Sequence, residues 1–300
     1  NEYPITKIAE GAFENDYSIT NIAISDNIEV IGNRAFANSS LINLITSENS
    51  ALKSIGENAF SGSQITSFVF ENMLSIAEKA FYDAKKLVEA RINIDFSESG
   101  NYLFQNASAL RFVSIQTSQI SALPEGMFMD CHALKDVILS PQIQFIEKDS
   151  YLNAYSLEQI DLSNITHIGE SAFENCQSII EVCLESAEYI GQRAFYNAKN
   201  LKNVYFGENE TLDTIDEYAF YGTENLTYLI VPATTKHILD NALIESGVRY
   251  LFVMESANPY HGSMSLYISS EAISPSVTIF VGEQLDYNQS RWQDNTVLLY

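Results

Sequence analysis

The sequence predicts a β-rich solenoid built from about eleven copies of a repeat of about 23 residues. Two observations support this prediction. An Ala-Phe dipeptide recurs along the chain at nearly constant spacing, and apolar residues hold fixed positions on both sides of it. A short repeat cannot bury its apolar side chains alone, but stacked repeats bury them against each other. We therefore expect most of the 300 residues to form one continuous stack.

The aromatic position of the dipeptide defines the period, and we call it the anchor. Nine of the eleven anchors are phenylalanine, eight follow an alanine, and successive anchors are 21 to 25 residues apart. The anchors are Phe13, Phe36, Phe60, Phe81, Phe104, Phe128, Tyr151, Phe173, Phe195, Phe220 and Leu243. This regularity identifies a repeat array in which the anchor ring fills the interior.

Two sets of apolar residues flank each anchor. One set lies eight and five residues before it, as in Ile165 and Ile168, and the other follows it, as in Leu201, Val204 and Phe206. The second set has the alternating spacing of a short strand with one buried face. We expect the strands of successive repeats to form a parallel sheet, and the Ala-Phe dipeptide to form one short helical or 3₁₀ turn.

The position two residues after the anchor is almost always one of three residue types. It is Asn, Asp or Gly in ten of the eleven repeats, and Glu245 is the exception. Glycine, asparagine and aspartate tolerate the left-handed backbone region, and the last two also bond to nearby backbone. The sequence therefore predicts a tight bend at this position.

The three cysteines do not form an evenly paired framework. Cys131 and Cys176 occupy the small-residue position after the bend, two repeats apart. By the strand spacing they are roughly 10 Å apart, whereas a disulfide needs Cα atoms within about 7 Å. We predict two free, buried thiols, with Cys183 as the exposed one.

The repeat at residues 165–184 has the pattern I-x-x-I-G-x-x-A-F-x-x-C-x-x-I-x-x-V-x-L. This pattern resembles the BspA-like (Treponema pallidum-type) leucine-rich repeats, and the resemblance covers roughly residues 5–254. Ile279-Phe280-Val281 with Tyr287 and Trp292 is similar to the segment that closes many such arrays, although Gly282 replaces the usual proline. The resemblance implies a right-handed solenoid of the α/β type with a concave parallel sheet. It also implies a secreted or surface-anchored bacterial protein, and some members of the family are adhesins.

The period breaks after residue 254, where Pro259, Gly262 and Pro275 interrupt it. We assign residues 1–254 to the repeat array and 255–300 to an irregular C-terminal cap of the same solenoid. Terminal repeats are expected to be atypical because one of their faces meets water.

Composition and motifs argue against several functions. The net charge of −23 disfavours nucleic acid and anionic membranes, and no apolar run is long enough to cross a bilayer. His132, His167, His237 and His261 lack metal-ligand spacing, and no catalytic or nucleotide-binding motif occurs. We therefore predict no enzyme activity, no cofactor and no metal.

The residues that alternate with buried ones project outward and are the candidates for binding. In the fourth to eighth repeats they are largely polar or acidic: Glu89, Arg91, Ser114, Asp136, Gln159, Asp161, Glu181 and Glu185. The acidic members could bind calcium, but without an Asp-x-Asp-x-Asp-Gly loop a solvated surface is the preferred interpretation. From the ninth repeat they become Tyr205, Tyr228, Ile230, Tyr250 and Phe252, which predicts a contiguous binding patch. Alternatively, residues 255–277 fold back over these side chains and make them part of the core of the cap.

The sequence thus favours a monomeric, extracellular or cell-surface recognition module without catalytic activity. We expect a protein partner, such as a host matrix protein or a protein on another bacterium, with the secretion signal and anchor outside this segment. The alternative is a spacer that projects another domain from the cell surface.

Overall fold

A computed structural model describes residues 4–94, 100–207, 211–254, 266–281 and 296–299. The chain divides into two compact units. Unit 1 comprises residues 1–143 with 153–155, and unit 2 comprises residues 144–152 with 156–300. The described residues of both units form strands and turns, with no α-helix or 3₁₀-helix among them.

Two series of strands alternate with the anchors, and we number all strands β1–β24 in chain order. First-series strands have two residues and end five residues before an anchor position. They are β1 Lys7–Ile8, β3 Val30–Ile31, β5 Ser54–Ile55, β7 Ser75–Ile76, β10 Ala122–Leu123, β12 Phe145–Ile146, β14 His167–Ile168, β16 Tyr189–Ile190, β18 Thr214–Ile215, β20 His237–Ile238 and β22 Tyr267–Ile268.

Second-series strands follow the anchors and are mostly longer. They are β2 Asn21–Ala23, β4 Asn43–Ile45, β6 Ser67–Met73, β8 Glu89–Ile94, β9 Phe112–Gln116, β11 Asp136–Ile138, β13 Gln159–Ile160, β15 Glu181–Leu184, β17 Asn203–Phe206, β19 Tyr228–Val231, β21 Tyr250–Val253, β23 Thr278–Val281 and β24 Thr296–Leu299.

Both series form parallel sheets within each unit. In unit 1, β1, β3, β5 and β7 pair in order, as do β6, β8, β9 and β11, and β2 pairs with β4. In unit 2, the first-series strands β12, β14, β16, β18, β20 and β22 pair in order. The second-series strands β19, β21, β23 and β24 also pair in order, and β15 pairs with β17. The predicted parallel solenoid is confirmed.

The anchor rings stack into a ladder inside each unit. In unit 1 the ladder runs from Phe13 to Phe128, and adjacent ring centroids are 5.1 to 5.7 Å apart. In unit 2 it runs from Tyr151 to Phe220, with spacings of 5.0 to 5.3 Å and near-parallel planes. These spacings are close to the distance between paired strands, about 4.8 Å, so one ring per repeat fills the core continuously.

The turn around each anchor differs from the expected helical turn. The backbone angle φ is positive both two residues before and two residues after every one of the eleven anchors, with values from 52° to 71°. The predicted bend after the anchor is confirmed, for example at Asn38 and Asn197. The left-handed residue before the anchor was not predicted, because six of the eleven repeats have Arg, Lys, Tyr or Ser there, as at Arg34, Lys79 and Tyr102.

Hydrogen bonds between repeats explain why no helix forms there. The anchor amide donates to the carbonyl of the alanine in the following repeat, from Phe36 to Ala59 at 2.7 Å and from Phe195 to Ala219 at 2.8 Å. In a helix that amide would bond within its own segment. Alternating backbone handedness directs it along the stack instead, so the turns join successive repeats as the strands do.

The repeat pattern continues beyond residue 254. β22 pairs with β20, β23 with β21, and β24 with β23. Ala272 and Ile273 are buried and take the Ala-anchor position, since the amide of Leu243 donates to the carbonyl of Ala272 at 2.8 Å. Residues 255–265 and 282–295, which include Tyr287 and Trp292, lie outside the described residues.

Candidate functional site

The outward face of the second-series strands in unit 2 carries the five predicted binding residues. Alternation of burial along β19 and β21 turns every second side chain toward solvent. Tyr228 pairs with Tyr250 and Ile230 with Phe252, while β17 with Tyr205 lies beside β19. The exposed fractions are 48% for Tyr205, 38% for Tyr228, 40% for Ile230 and 48% for Tyr250, and Phe252 is half-buried. Each of the five therefore has surface available for contact.

The structure adds Phe280 and Leu298 to this surface. Phe252 pairs in register with Phe280, and Phe280 with Leu298, which is 45% exposed. The rings of Phe252 and Phe280 stack with centroids 4.6 Å apart. We call the whole set the aromatic patch, which consists of Tyr205, Tyr228, Ile230, Tyr250, Phe252, Phe280 and Leu298. In Ile279-Phe280-Val281, the alternation of buried and partly exposed positions could have indicated from the sequence that Phe280 faces outward.

Residues 255–277, which in the alternative interpretation cover these side chains, are described only in part. Residues 266–277 contain β22, which pairs with β20 in the first-series sheet. Residues 255–265 lie outside the described residues.

The outward face of unit 1 carries both charged and apolar side chains. Arg91 makes a salt bridge with Glu89 at 2.5 Å, and its guanidinium lies 5.2 Å from the centroid of the Phe112 ring. Val69 and Ile138 are apolar and each about half exposed, and neither was among the residues predicted to face outward. Both pair into the row that contains Arg91, so polar side chains separate them. Unit 1 therefore lacks a contiguous apolar surface along this described row.

The acidic outward residues do not assemble into a metal site in the described part of the chain. No group of three or more His, Cys, Asp or Glu side chains there has the geometry to hold an ion. Asp161 is held instead by its own turn, where the backbone N–H of Ser163 donates to it at 3.0 Å and lowers the pKa of the carboxyl. Nor do the described residues contain a helix of the length and hydrophobicity needed to span a membrane.

The three cysteines, all within the described residues, form no disulfide, as predicted. Cys131 and Cys176 are fully buried, and each thiol donates to the anchor carbonyl of the preceding repeat. Cys183 is partly exposed and pairs in register with Tyr205 of the aromatic patch. Burial and the hydrogen bond to Glu185 raise the pKa of the Cys183 thiol to about 11.

Alkylation of Cys183 by iodoacetamide is expected to be slow at pH 8, because the thiolate is the reactive form and little is present three pH units below its pKa. The rate should rise about tenfold per pH unit up to about pH 11, and Glu185→Gln should increase it at pH 8. Mass spectrometry of the labelled chain measures both effects. Labelling of Cys183 at pH 8 as fast as free cysteine would contradict the prediction, and full labelling in denaturant is the control.

A family model and several solved structures match this chain. The model, a BspA type leucine rich repeat region, matches residues 6–135 and 121–249 in six copies. A leucine-rich repeat protein from Bacteroides ovatus is 23% identical with a TM-score of 0.58, over 79% of this chain and 54% of that protein. This chain thus spans about half the length of that protein, and the similarity shows a shared fold.

Two further structures have lower TM-scores. A leucine rich cell surface protein from Faecalibacterium prausnitzii is 19% identical over 98% of this chain and 86% of its own, with a TM-score of 0.41. A leucine rich repeat protein from T. pallidum is 22% identical over 54% of this chain and 67% of its own, with a TM-score of 0.37. No curated protein matches the chain significantly. Because the family model covers most of the sequence, this chain belongs to the BspA-type leucine-rich-repeat family.

Proposed function

We propose that this chain is a recognition module that binds a protein partner through the aromatic patch. The family and its repeat fold provide a scaffold suited to protein binding, and nothing in the described structure indicates catalysis. The observation that carries the proposal is that three tyrosines and four apolar side chains lie together on the outward face of five adjacent second-series strands. Tyrosine is enriched at the centres of protein interfaces, because its ring buries a large area at low entropic cost.

The proposed setting is the bacterial cell surface or the extracellular medium, and the proposed role is adhesion. The partner would be a host matrix protein or a surface protein of another bacterium. The family resemblance supports this setting. The net charge of −23 gives the molecule a strongly acidic surface, which favours solubility and partners with basic surfaces.

Replacing Tyr228 and Tyr250 together with serine is expected to weaken partner binding at least tenfold while the fold persists. Both rings are more than one-third exposed, so their removal takes contact area from the interface and little packing from the core. Binding of purified chain to immobilised matrix proteins and intact bacterial cells measures the effect. The matched control is Tyr17→Ser with Tyr155→Ser, two exposed tyrosines outside the patch.

The outcomes separate the alternatives. Loss of binding in the patch variant alone, with an unchanged thermal transition, supports the proposal. Equal binding by both double variants would show that the aromatic patch does not bind the partner. Loss of cooperative unfolding in the patch variant identifies these tyrosines as core, and a chain that binds nothing on the panel favours the spacer.

A further inference from the structure

A second row of aromatic side chains lies on the first-series sheet of unit 2, away from the aromatic patch. Six consecutive strands place one residue each in register: Phe145, His167, Tyr189, Thr214, His237 and Tyr267. We call this set the aromatic–imidazole row. In unit 1 the paired residues at the same position are Lys7, Val30, Ser54 and Ser75, so the row is specific to unit 2.

Neighbouring rings of the row are close to each other, but their planes are tilted and do not stack face to face. Centroid distances are 5.1 Å between Phe145 and His167 and 6.1 Å between His167 and Tyr189, with planes tilted by 31° and 35°. His237 and Tyr267 are 6.2 Å apart and tilted by 59°. The buried anchor ladder of the same unit is tilted by only 3° to 7°. The row is half-buried to exposed, so its tilted rings leave part of their faces accessible.

Carboxylates outnumber cations beside the row. Lys148 and Lys236 already pair with Glu170 and Asp213, and the hydroxyl of Tyr189 donates to Asp216. Glu147 and Glu188 stand next to first-series strands in sequence and are exposed. Among the described residues, neither has an ion-pair partner within 4.0 Å. The surface therefore combines accessible ring faces with uncompensated negative charge.

Ring faces and carboxylates together are the groups that bind guanidinium and ammonium ions. The chain itself shows this arrangement. The guanidinium of Arg193 lies 3.9 Å from the centroid of the Tyr196 ring, and its Nη2 and Nε donate to Glu174 at 2.7 and 2.9 Å. A partner's arginine would find the same two groups at the row, since Tyr189 and Asp216 are already joined there.

From this we infer that the aromatic–imidazole row is a second binding surface, which takes an extended peptide segment carrying arginine or lysine side chains. Phe145 to Tyr189 spans two strand spacings, about 10 Å, and an extended peptide covers that distance in about three residues. Alternate side chains of such a peptide point to the same side at intervals of about 6.7 Å. The ring centroids are 5.1 and 6.1 Å apart, so two alternate side chains would meet two neighbouring rings. An uncharged oligosaccharide also stacks on rings, but it would leave Glu147 and Glu188 without a counter-charge.

The probe is a capped, fluorescently labelled pentapeptide with three arginines separated by serines, and its neutral counterpart has citrulline in place of arginine. Fluorescence anisotropy with the full chain should show saturable binding of the arginine peptide that weakens as salt is raised. Binding should be at least tenfold weaker with the citrulline peptide and with the variant His167→Ala/Tyr189→Ala. Tyr17→Ala, which removes an exposed tyrosine in unit 1, should bind like the parent.

A second variant, Glu147→Gln/Glu188→Gln, changes only exposed side chains and should weaken binding several-fold even if the ring variant folds poorly. Three results would overturn the inference. These are no binding at millimolar chain concentration, equal affinity of the arginine and citrulline peptides, or displacement of the peptide by neutral oligosaccharides. Failure of the aromatic patch to bind a protein partner leaves this test unaffected, because the two surfaces lie on different sheets.

Discussion

Replacing Phe195 with alanine is expected to lower the free energy of unfolding by about 3–5 kcal/mol, the usual cost of removing a buried phenylalanine. Phe195 is fully buried, and its ring stacks on Phe173 at 5.2 Å and on Phe220 at 5.3 Å. The substitution leaves a cavity and breaks the ladder at both contacts. Denaturant titration followed by circular dichroism measures the loss.

Two further variants define the interpretation of this experiment. Phe195→Leu keeps most of the volume and should cost clearly less than alanine. Tyr17→Ala removes an exposed ring and should change stability by less than about 0.5 kcal/mol. If Phe195→Ala lowers the free energy of unfolding no more than Tyr17→Ala, stacking of the anchor rings does not stabilise the fold.

The second large effect is expected at the bend after the anchor. Replacing Asn197 with valine should destabilise the protein by about 1–3 kcal/mol, because a β-branched side chain is strained at positive φ. Asn197 has a φ of 57°. Its backbone N–H donates to the carbonyl of Tyr221 in the next repeat at 2.8 Å. The residue therefore cannot relax to negative φ without losing the contact between repeats.

Asn197→Gly is the matched control, because glycine adopts this conformation without strain. Gly222 occupies the same position in the next repeat with a φ of 71°. The glycine variant should lose only the side-chain hydrogen bond to Asn175, at 3.3 Å. Thermal unfolding of the three proteins decides the matter, and equal stability of the valine and glycine variants would show that the left-handed bend is not required.

The candidate site was predictable where it follows the repeat. Tyr228, Ile230 and Tyr250 could be assigned to an outward face because the buried residues beside them repeat at fixed distances from each anchor. Phe280 and Leu298 were missed, because residues 255–277 interrupt the spacing and no anchor Phe precedes them. Only strand pairing in the folded chain places Phe280 against Phe252.

The turn around the anchor was likewise predictable only in part from the sequence. The position two residues after the anchor is Asn, Asp or Gly in ten of the eleven repeats, and this composition predicts the left-handed bend because few residue types accept positive φ. The left-handed residue before the anchor carries a weaker signal, because it is Gly, Asn or Asp in only five of the eleven repeats. Arg34, Lys79 and Tyr102 are poor formers of that conformation. Backbone hydrogen bonds to the next repeat impose their conformation. The N–H of Arg34 donates to the carbonyl of Glu57, and the N–H of Tyr102 donates to the carbonyl of Glu125, both at 2.8 Å.

The sequence by itself determined the repeat length, the buried columns, the bend after each anchor and the parallel strands. These features recur in every repeat, and each depends on local spacing and residue type. The tertiary structure alone decided which outward side chains lie together, both in the aromatic patch and in the aromatic–imidazole row. Those groupings join residues 18 to 30 positions apart, and the hydrogen-bond register between neighbouring strands brings them into contact.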